Sequence, residues 1–338
     1  MKSLLSHLFS FVLLCTCIIN TSQAQYYNLD PNWPTGINGL NVSSITAVAI
    51  TNTTTYGTEI HVAQRGTAVP FVLVFSPNGT LTRTWGKNIT SPHGLYSPGD
   101  NTVWVADIAE ATVKQYDILT EELLTLIGSP HNPGPGVNTP QFSAVADIAL
   151  TTSKFVLTSD GDGGSNNRIL DITPGNLDVY YGVGGNGTGP GQFMSPHSIA
   201  YQYGTKQFWV ANRGNSRIDL FDAETGFYLG SWDGPSCFNG IPWGIRLNEQ
   251  KGHMLVADGN NGNLYVLNLP ANPYHKTTLR GTKKNNLNFN AIAPCQLLQN
   301  ISIGVSRKPH ELAIDPSTGD VYLAGVGTPP TIQRYVPV

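Results

Sequence analysis

The chain has 338 residues, of which only 12% are charged, and its formal net charge is −3. Because basic and acidic residues form no block, this composition argues against nucleic acid or an anionic membrane surface as a partner. The length suffices to bury the core of one large all-β domain, and we expect that domain to act as a monomer.

Residues 1–24 have the organisation of a secretory signal peptide. Lys2 precedes an apolar run from Leu8 to Ile19, and the small residues of Ser22-Gln23-Ala24 resemble a cleavage site. The apolar run is too short to span a bilayer, and no later run reaches the length that a span requires. We therefore expect a secreted protein without a membrane span, whose mature domain comprises residues 25–338.

Potential glycosylation sites and cysteines agree with this compartment. Asn-x-Ser/Thr sequons accept N-linked glycans in eukaryotic secretory proteins. Six follow the predicted signal peptide, at Asn41, Asn52, Asn78, Asn88, Asn186 and Asn300. The mature chain keeps two cysteines, Cys237 and Cys295, which would form one disulfide in an oxidising compartment or stay as two buried thiols.

Internal repeats predict the architecture. Strands of the Val-Ala-Asp type recur, for example at Val103–Asp107 and Met254–Asp258, and each is followed by two further strand-like stretches separated by turn residues. Four strands in roughly 40–50 residues are typical of a β-propeller blade. Six such units begin near Ile45, Ser91, Gln141, Gln192, Phe238 and Ser306.

The repeats therefore predict an all-β fold, a six-bladed β-propeller built of four-stranded repeats. The sixth unit is one strand short at Val338, and the segment after Gln25 could supply that strand and close the ring.

Three Pro-His pairs stand at the starts of the predicted innermost strands of the second, fourth and sixth units. Alternate blades lie about 120° apart in a six-bladed ring, so the three imidazoles would converge on its axis. Three imidazole ligands with one open position form a zinc site of the catalytic kind. The predicted ligands are His93, His197 and His310, whereas the equivalent residues of the other units are Thr46, Ala146 and Trp243. The alternative is that Pro-His is a common feature of blade starts.

Two arginines share the motif Val-Ala-x-Arg-Gly. Arg65 and Arg213 both follow a second strand, at the turn that leaves it. An arginine at a turn facing the channel can bind a carboxylate or stabilise a developing negative charge, while the alternative is a solvated turn residue. Aspartates at nearby or equivalent sites are predicted to form turns by accepting bonds from backbone N–H groups, namely Asp107, Asp160 and Asp258.

These motifs together resemble NHL-repeat propellers, and more specifically the peptidyl-α-hydroxyglycine α-amidating lyase domain. The resemblance implies cleavage of a C-terminal α-hydroxyglycine peptide into a peptide amide and glyoxylate. It implies zinc on His93, His197 and His310, and active-site roles for Arg65 and Arg213. It also implies a structural calcium ion, with backbone carbonyls from Val48 and Leu95 and with Glu311 in place of the aspartate of the family.

The sequence departs from the family in the third blade. The lyase has a catalytic tyrosine just after Ser-Asp-Gly, whereas here Gly161 is followed by Asp162 and a glycine-rich stretch. Asp162 or a neighbouring tyrosine is the candidate substitute. Three functions stay open at this stage: a zinc-dependent lyase, a zinc-dependent hydrolase, and a secreted binding module for a protein or a glycan.

Overall fold

The computed structural model describes residues 25–35, 42–66, 71–136, 138, 140–235, 237–274 and 292–338. This part of the chain forms 24 strands in six four-stranded antiparallel sheets, and its only helical element is a 3₁₀ turn at Arg213–Asn215. The six-bladed propeller is therefore confirmed. The predicted signal peptide (residues 1–24), Asn41 and His275 lie outside the described residues.

The first three blades follow one another along the chain, each with its strands in sequence order from the axis outwards. Blade 1 contains β2 (Ile45–Thr53), β3 (Gly57–Gln64), β4 (Val72–Phe75) and β5 (Leu81–Trp85). Blade 2 contains β6 (Pro92–Tyr96), β7 (Thr102–Asp107), β8 (Thr112–Asp117) and β9 (Leu123–Gly128). Blade 3 contains β10 (Val145–Leu150), β11 (Val156–Asp160), β12 (Arg168–Ile172) and β13 (Val179–Gly184).

The next two blades repeat this order, and the sixth closes the ring. Blade 4 contains β14 (Pro196–Gln202), β15 (Gln207–Asn212), β16 (Arg217–Asp222) and β17 (Tyr228–Asp233). Blade 5 contains β18 (Gly244–Asn248), β19 (His253–Asp258), β20 (Asn263–Asn268) and β21 (Leu297–Ser302). Blade 6 joins β22 (Pro309–Ile314), β23 (Val321–Gly325) and β24 (Thr331–Pro337) to β1 (Tyr27–Asp30), which pairs antiparallel with β24. The segment after Gln25 thus supplies the missing strand, as predicted.

Polar residues at the ends of the second strands fix the loops that lead into the innermost strands. The carboxylate of Asp107 accepts bonds from the backbone N–H groups of Thr90 and Ser91, just before β6. Asp160 accepts corresponding bonds from the loop before β10, and the side chain of Asn212 accepts one from Met194 before β14. An Asp or Asn thus recurs at the end of the second strand because its side chain accepts hydrogen bonds from the backbone of the preceding loop.

The apolar core is divided among the contacts between neighbouring blades. Each of six clusters of buried side chains draws its members from two adjacent sheets, and one of them joins blade 6 to blade 1. Within blade 5, a disulfide between Cys237 and Cys295, with Cα atoms 5.0 Å apart, ties the segment before β18 to the segment before β21. Among the described residues no helix is long and apolar enough to cross a lipid bilayer.

Four innermost strands are joined by a charged network buried in the channel. Arg246 of β18 forms a two-pronged ion pair with Asp147 of β10, with N–O distances of 2.8 and 3.0 Å. Glu311 of β22 lies 3.5 Å from the same guanidinium, and Ser198 of β14 lies between the two carboxylates. Both carboxylates are fully buried, so the guanidinium is needed to compensate their desolvation. We call these four residues the channel network.

Replacing Arg246 by methionine tests how much the channel network contributes to the free energy of unfolding. Arg246→Met leaves the buried Asp147 carboxylate without its cation, so we expect the free energy of unfolding to fall by about 3–5 kcal/mol. Urea denaturation measures it. As a matched control, Lys206→Met removes an exposed pair with Glu224 and should leave stability close to that of the wild type. Equal stabilities of the two variants would contradict the assigned role.

A second buried polar cluster, in blade 1, gives stability a dependence on pH. His61 is fully buried, Trp85 Nε1 donates to its Nδ1 over 3.1 Å, and its Nε2 lies 2.9 Å from Thr51 Oγ1. Burial lowers the pKa of His61 to about 3, with a further contribution from the positive charge of Arg83. The folded protein therefore holds this imidazole neutral.

The pH dependence follows from that lowered pKa. Between pH 6.5 and about 3 the unfolded state binds a proton at His61 that the folded state does not, so stability falls as pH decreases. His61→Gln should remove up to about 1.4 kcal/mol per pH unit from this slope, measured by urea denaturation at pH 7, 6 and 5. The exposed His131, changed to Asn, is the control and should leave the slope as it is. An unchanged slope in His61→Gln would show that this histidine is not the source.

Candidate metal centre

The three predicted histidines lie where their innermost strands are bulged. In the pairing of β6 with β7, Pro92 faces Asp107 and Gly94 faces Ala106, so His93 has no partner in the ladder. The same interruption occurs at His197 in β14 and at His310 in β22. A β-bulge redirects the side chain of the extra residue. Here it turns three imidazoles towards one another.

Each imidazole is held by the blade that follows its own. Nδ1 of His93 lies 3.0 Å from the carbonyl oxygen of Ala146, Nδ1 of His197 lies 2.8 Å from that of Trp243, and Nδ1 of His310 lies 2.7 Å from that of Thr46. Because a carbonyl oxygen only accepts, each Nδ1 carries the proton and each neutral ring presents a lone pair at Nε2. The residues equivalent to the histidines in the alternate blades thus orient them through their backbones.

The resulting cluster is close to threefold symmetric. The three ring centroids are separated by 4.7, 4.8 and 4.7 Å, and one nitrogen of each ring lies within 4.8 Å of the others. Burial lowers the pKa values of His93 and His197 to about 4 and that of His310 well below its ordinary value. All three are therefore in the neutral form, which is the form that binds metal ions.

Asp162 brings a carboxylate to this cluster from the glycine-rich loop of blade 3. Its Oδ2 lies 2.8 Å from His93 Nε2 and 3.9 Å from His197 Nε2. Burial alone would raise the pKa of this carboxyl, but the Arg213 guanidinium that pairs with it lowers the pKa and keeps the carboxyl ionised. Asp162 therefore stands, as an ionised carboxylate, in the part of the loop where the family has its tyrosine.

Both predicted arginines lie at the same site. Arg213 Nη2 is 2.5 Å from Asp162 Oδ1, and its guanidinium stacks on the Trp243 ring at 5.1 Å from the centroid. Arg65 donates from Nε to the carbonyl oxygen of Pro92 over 3.1 Å; burial lowers its pKa, and the charge of Asp162 opposes that decrease. The structure thus brings Arg65 and Arg213 together around one carboxylate, next to the histidines.

The donor set fits a transition-metal ion. His197 Nε2 is fully buried and has no hydrogen-bond partner, while His93 Nε2 and the ionised Asp162 carboxylate, both electron-pair donors, face each other. A cation between these atoms would satisfy them all. Glu311 Oε1 lies 3.3 Å from His197 Nδ1 but has no hydrogen-bond partner, because that nitrogen donates to the Trp243 carbonyl oxygen.

The predicted calcium ligands have different surroundings. Val48 and Leu95 line a channel cavity together with Arg246. The Glu311 carboxylate faces the Arg246 guanidinium, and burial, reinforced by the charge of Asp147, raises the pKa of Glu311 well above its ordinary value. A guanidinium therefore faces the carboxylate of the predicted calcium site, whose three ligands stay a prediction.

Sequence reasoning missed the partners that orient the site. It did not find the carbonyl contacts of Thr46, Ala146 and Trp243, because bulges and backbone groups leave no residue-type signature. Asp147 and Arg246 could have been noticed, since each is a charged residue inside an otherwise apolar strand predicted to be innermost. Of the described histidines outside the site, His61 and His253 are buried and His131 is exposed.

Comparison with known proteins finds relatives of two kinds. NHL repeat-containing protein 3 of Mus musculus is 34% identical over 286 residues, which are 82% of this chain and 76% of the relative. Peptidylglycine alpha-amidating monooxygenase of Rattus norvegicus is 35% identical over 161 residues, covering 46% of this chain and 16% of its own. A probable peptidyl-alpha-hydroxyglycine alpha-amidating lyase of Caenorhabditis elegans is 28% identical over 133 residues, or 39% of this chain and 37% of its own.

No family model matches the chain. The resemblance to NHL-repeat and amidating-lyase propellers is nevertheless confirmed by these relatives and by the six blades. NHL repeat-containing protein 3 aligns with this chain over most of both sequences, and its 34% identity establishes common descent. The chain therefore belongs to the NHL-repeat propeller family represented by NHL repeat-containing protein 3.

Proposed function

We propose that this chain is a secreted zinc-dependent lyase that cleaves peptides ending in α-hydroxyglycine into a peptide amide and glyoxylate. The observation that carries the proposal is the convergence of three buried neutral histidines beside Arg65 and Arg213. Three imidazoles are a common ligand set for catalytic zinc. A zinc ion bound there would lower the pKa of the substrate hydroxyl and stabilise its negative charge as the C–N bond breaks.

The arginines supply recognition of the substrate's terminal carboxylate. Arg213 has a fixed orientation because its guanidinium stacks on Trp243, and its Nη2 already binds one carboxylate oxygen, that of Asp162. Arg65 is held by the carbonyl oxygen of Pro92 and faces the same carboxylate charge. A charge-assisted bond from a guanidinium to a carboxylate positions a ligand as well as binding it.

The reaction requires one proton transfer, and the described residues around the histidines offer no well-matched general base for it. As the C–N bond breaks, its electron pair goes to the amide nitrogen, the hydroxyl oxygen forms the carbonyl of glyoxylate, and the hydroxyl proton ends on the nitrogen. Asp162 is the carboxylate next to the histidines, but its Oδ1 is bound by Arg213 and its Oδ2 lies against His93, so neither oxygen is free to accept that proton. We expect a rate about 10²–10⁴-fold below that of an enzyme with a well-matched base.

A second candidate function is a metal-binding recognition module without catalysis. The occupation of Arg213 by Asp162 favours it, because the guanidinium that would bind substrate is already paired. The similarity to NHL repeat-containing protein 3, whose printed name carries no activity, is compatible with this function. Its ligand would be a protein or a glycan at a propeller face.

Secretion and glycosylation belong to the same proposal. The disulfide agrees with an oxidising compartment. The asparagines of the described sequons are exposed, as glycan acceptors must be: Asn52, Asn78, Asn88, Asn186 and Asn300.

Metal analysis combined with product analysis tests the proposal. We expect about one zinc ion per purified wild-type chain, as three-histidine sites bind, together with glyoxylate release from an α-hydroxyglycine peptide that stops when the metal is chelated. His197→Ala removes the buried Nε2 that lacks a partner, so both zinc and glyoxylate release should be lost.

The exposed His131→Asn variant is the matched control and should retain zinc and activity. Zinc without glyoxylate in the wild type would reject the lyase and support the recognition module. A chain without zinc would contradict both proposals for the axial site.

A further inference from the structure

The carboxylate of Asp162 links the two halves of the proposed site. Its Oδ2 is 2.8 Å from His93 Nε2 and 3.9 Å from His197 Nε2, while its Oδ1 is 2.5 Å from Arg213 Nη2. One side chain therefore contacts both the histidine cluster and the guanidinium assigned to the substrate carboxylate. We infer that Asp162 is a fourth metal ligand and an internal carboxylate that closes the axial site to external carboxylates. This inference rests on the metal centre of the proposed function.

The distribution of electron pairs supports metal ligation by Asp162. His93 donates through Nδ1 to the carbonyl oxygen of Ala146, so its Nε2 has a lone pair and no proton to offer to Asp162. Two acceptors 2.8 Å apart need a proton or a metal ion between them, and a metal ion would also satisfy the unpartnered Nε2 of His197. In tetrahedral zinc sites with bonds of about 2.0–2.1 Å, adjacent ligand atoms lie about 3.3–3.4 Å apart. Oδ2 is closer than that to His93 Nε2, at 2.8 Å, and farther from His197 Nε2, at 3.9 Å, so ligation requires a small shift of the carboxylate towards His197.

The loop presents Asp162 in a fixed position. The backbone N–H groups of Gly161 and Asp162 both donate to the carbonyl oxygen of Ala144, over 2.9 and 3.2 Å. Further along, Asn166 is held through its backbone by Ser143 Oγ and through its side chain by Asp160. The Asp162 side chain is only 13% exposed. The loop is therefore anchored on both sides of the carboxylate, as a residue that binds a metal ion requires.

Asp162 and a carboxylate ligand would therefore compete for the same position beside the metal ion and Arg213. A substrate of the proposed reaction needs a free coordination position and a free guanidinium, and Asp162 occupies both. Sites in which protein residues fill every position are structural, whereas catalytic sites keep one open. The Asp162 side chain must leave this position before a carboxylate ligand can bind, so this residue sets the affinity of the site for such ligands.

Cobalt substitution tests the inference without relying on turnover. Co²⁺ reports its ligand set through its visible absorption, and glyoxylate serves as a small carboxylate probe. In the wild-type chain we expect a spectrum that glyoxylate does not change. Asp162→Ala should bind zinc about 10–100-fold more weakly, at least the loss caused by removing an outer-shell partner. Its cobalt spectrum should shift with glyoxylate at concentrations at least tenfold below any that affect the wild type.

Two further variants make the result decisive. Asp162→Asn keeps the size of the side chain and should also weaken zinc binding, so a folding defect of the alanine variant would not mask the effect. Asp233→Asn, at an exposed position on the outermost strand of blade 4, is the control and should behave as wild type. Thermal unfolding checks that each variant is folded.

The outcomes separate this inference from the proposed function. If wild type and Asp162→Ala bind zinc equally and respond equally to glyoxylate, Asp162 is not a ligand, and the metal centre stands without it. If neither chain binds cobalt or zinc, the metal centre is wrong and the inference falls with it.

Discussion

The buried guanidinium of Arg246 is the interaction on which the centre of the propeller depends. The innermost strands of a propeller face a narrow channel, where a buried carboxylate is costly unless a cation compensates it. Arg246 compensates Asp147 and Glu311 together, and Ser198 joins the two carboxylates. Blades 3, 4, 5 and 6 are thus held in register at the axis. Glu311 also contacts His197, so the same network supports the base of the histidine cluster.

The histidine cluster arises because only every second blade carries a histidine at the equivalent position of its innermost strand. In five innermost strands a bulge leaves a residue unpaired with the neighbouring strand. Alternate blades place different groups at the axis. His93, His197 and His310 supply imidazoles, and the blades between them supply carbonyl oxygens that hold those imidazoles. The sixfold ring is thereby converted into a threefold site, and the orientation of each ring depends on the position of its neighbouring blade.

The fold and the members of the site could be predicted from the sequence, whereas their connections could not. Recurrent Val-Ala-Asp strands and turn residues predicted the six blades, because both signals are local and repeated. The Pro-His pairs predicted convergence, because blade position fixes direction. The pairing of Arg246 with Asp147 could not be predicted, because a contact between residues 99 positions apart has no local signal. The role of Asp162 also depends on where a glycine-rich loop folds back, which residue types do not specify.

Closure of the ring is required to bring the three histidines together. β1, near the start of the described chain, completes the blade that carries His310, so that blade joins the two ends of the described chain. The three histidines come from three blades and lie together only when the ring is closed. A metal ion on all three would therefore report that the ring is complete.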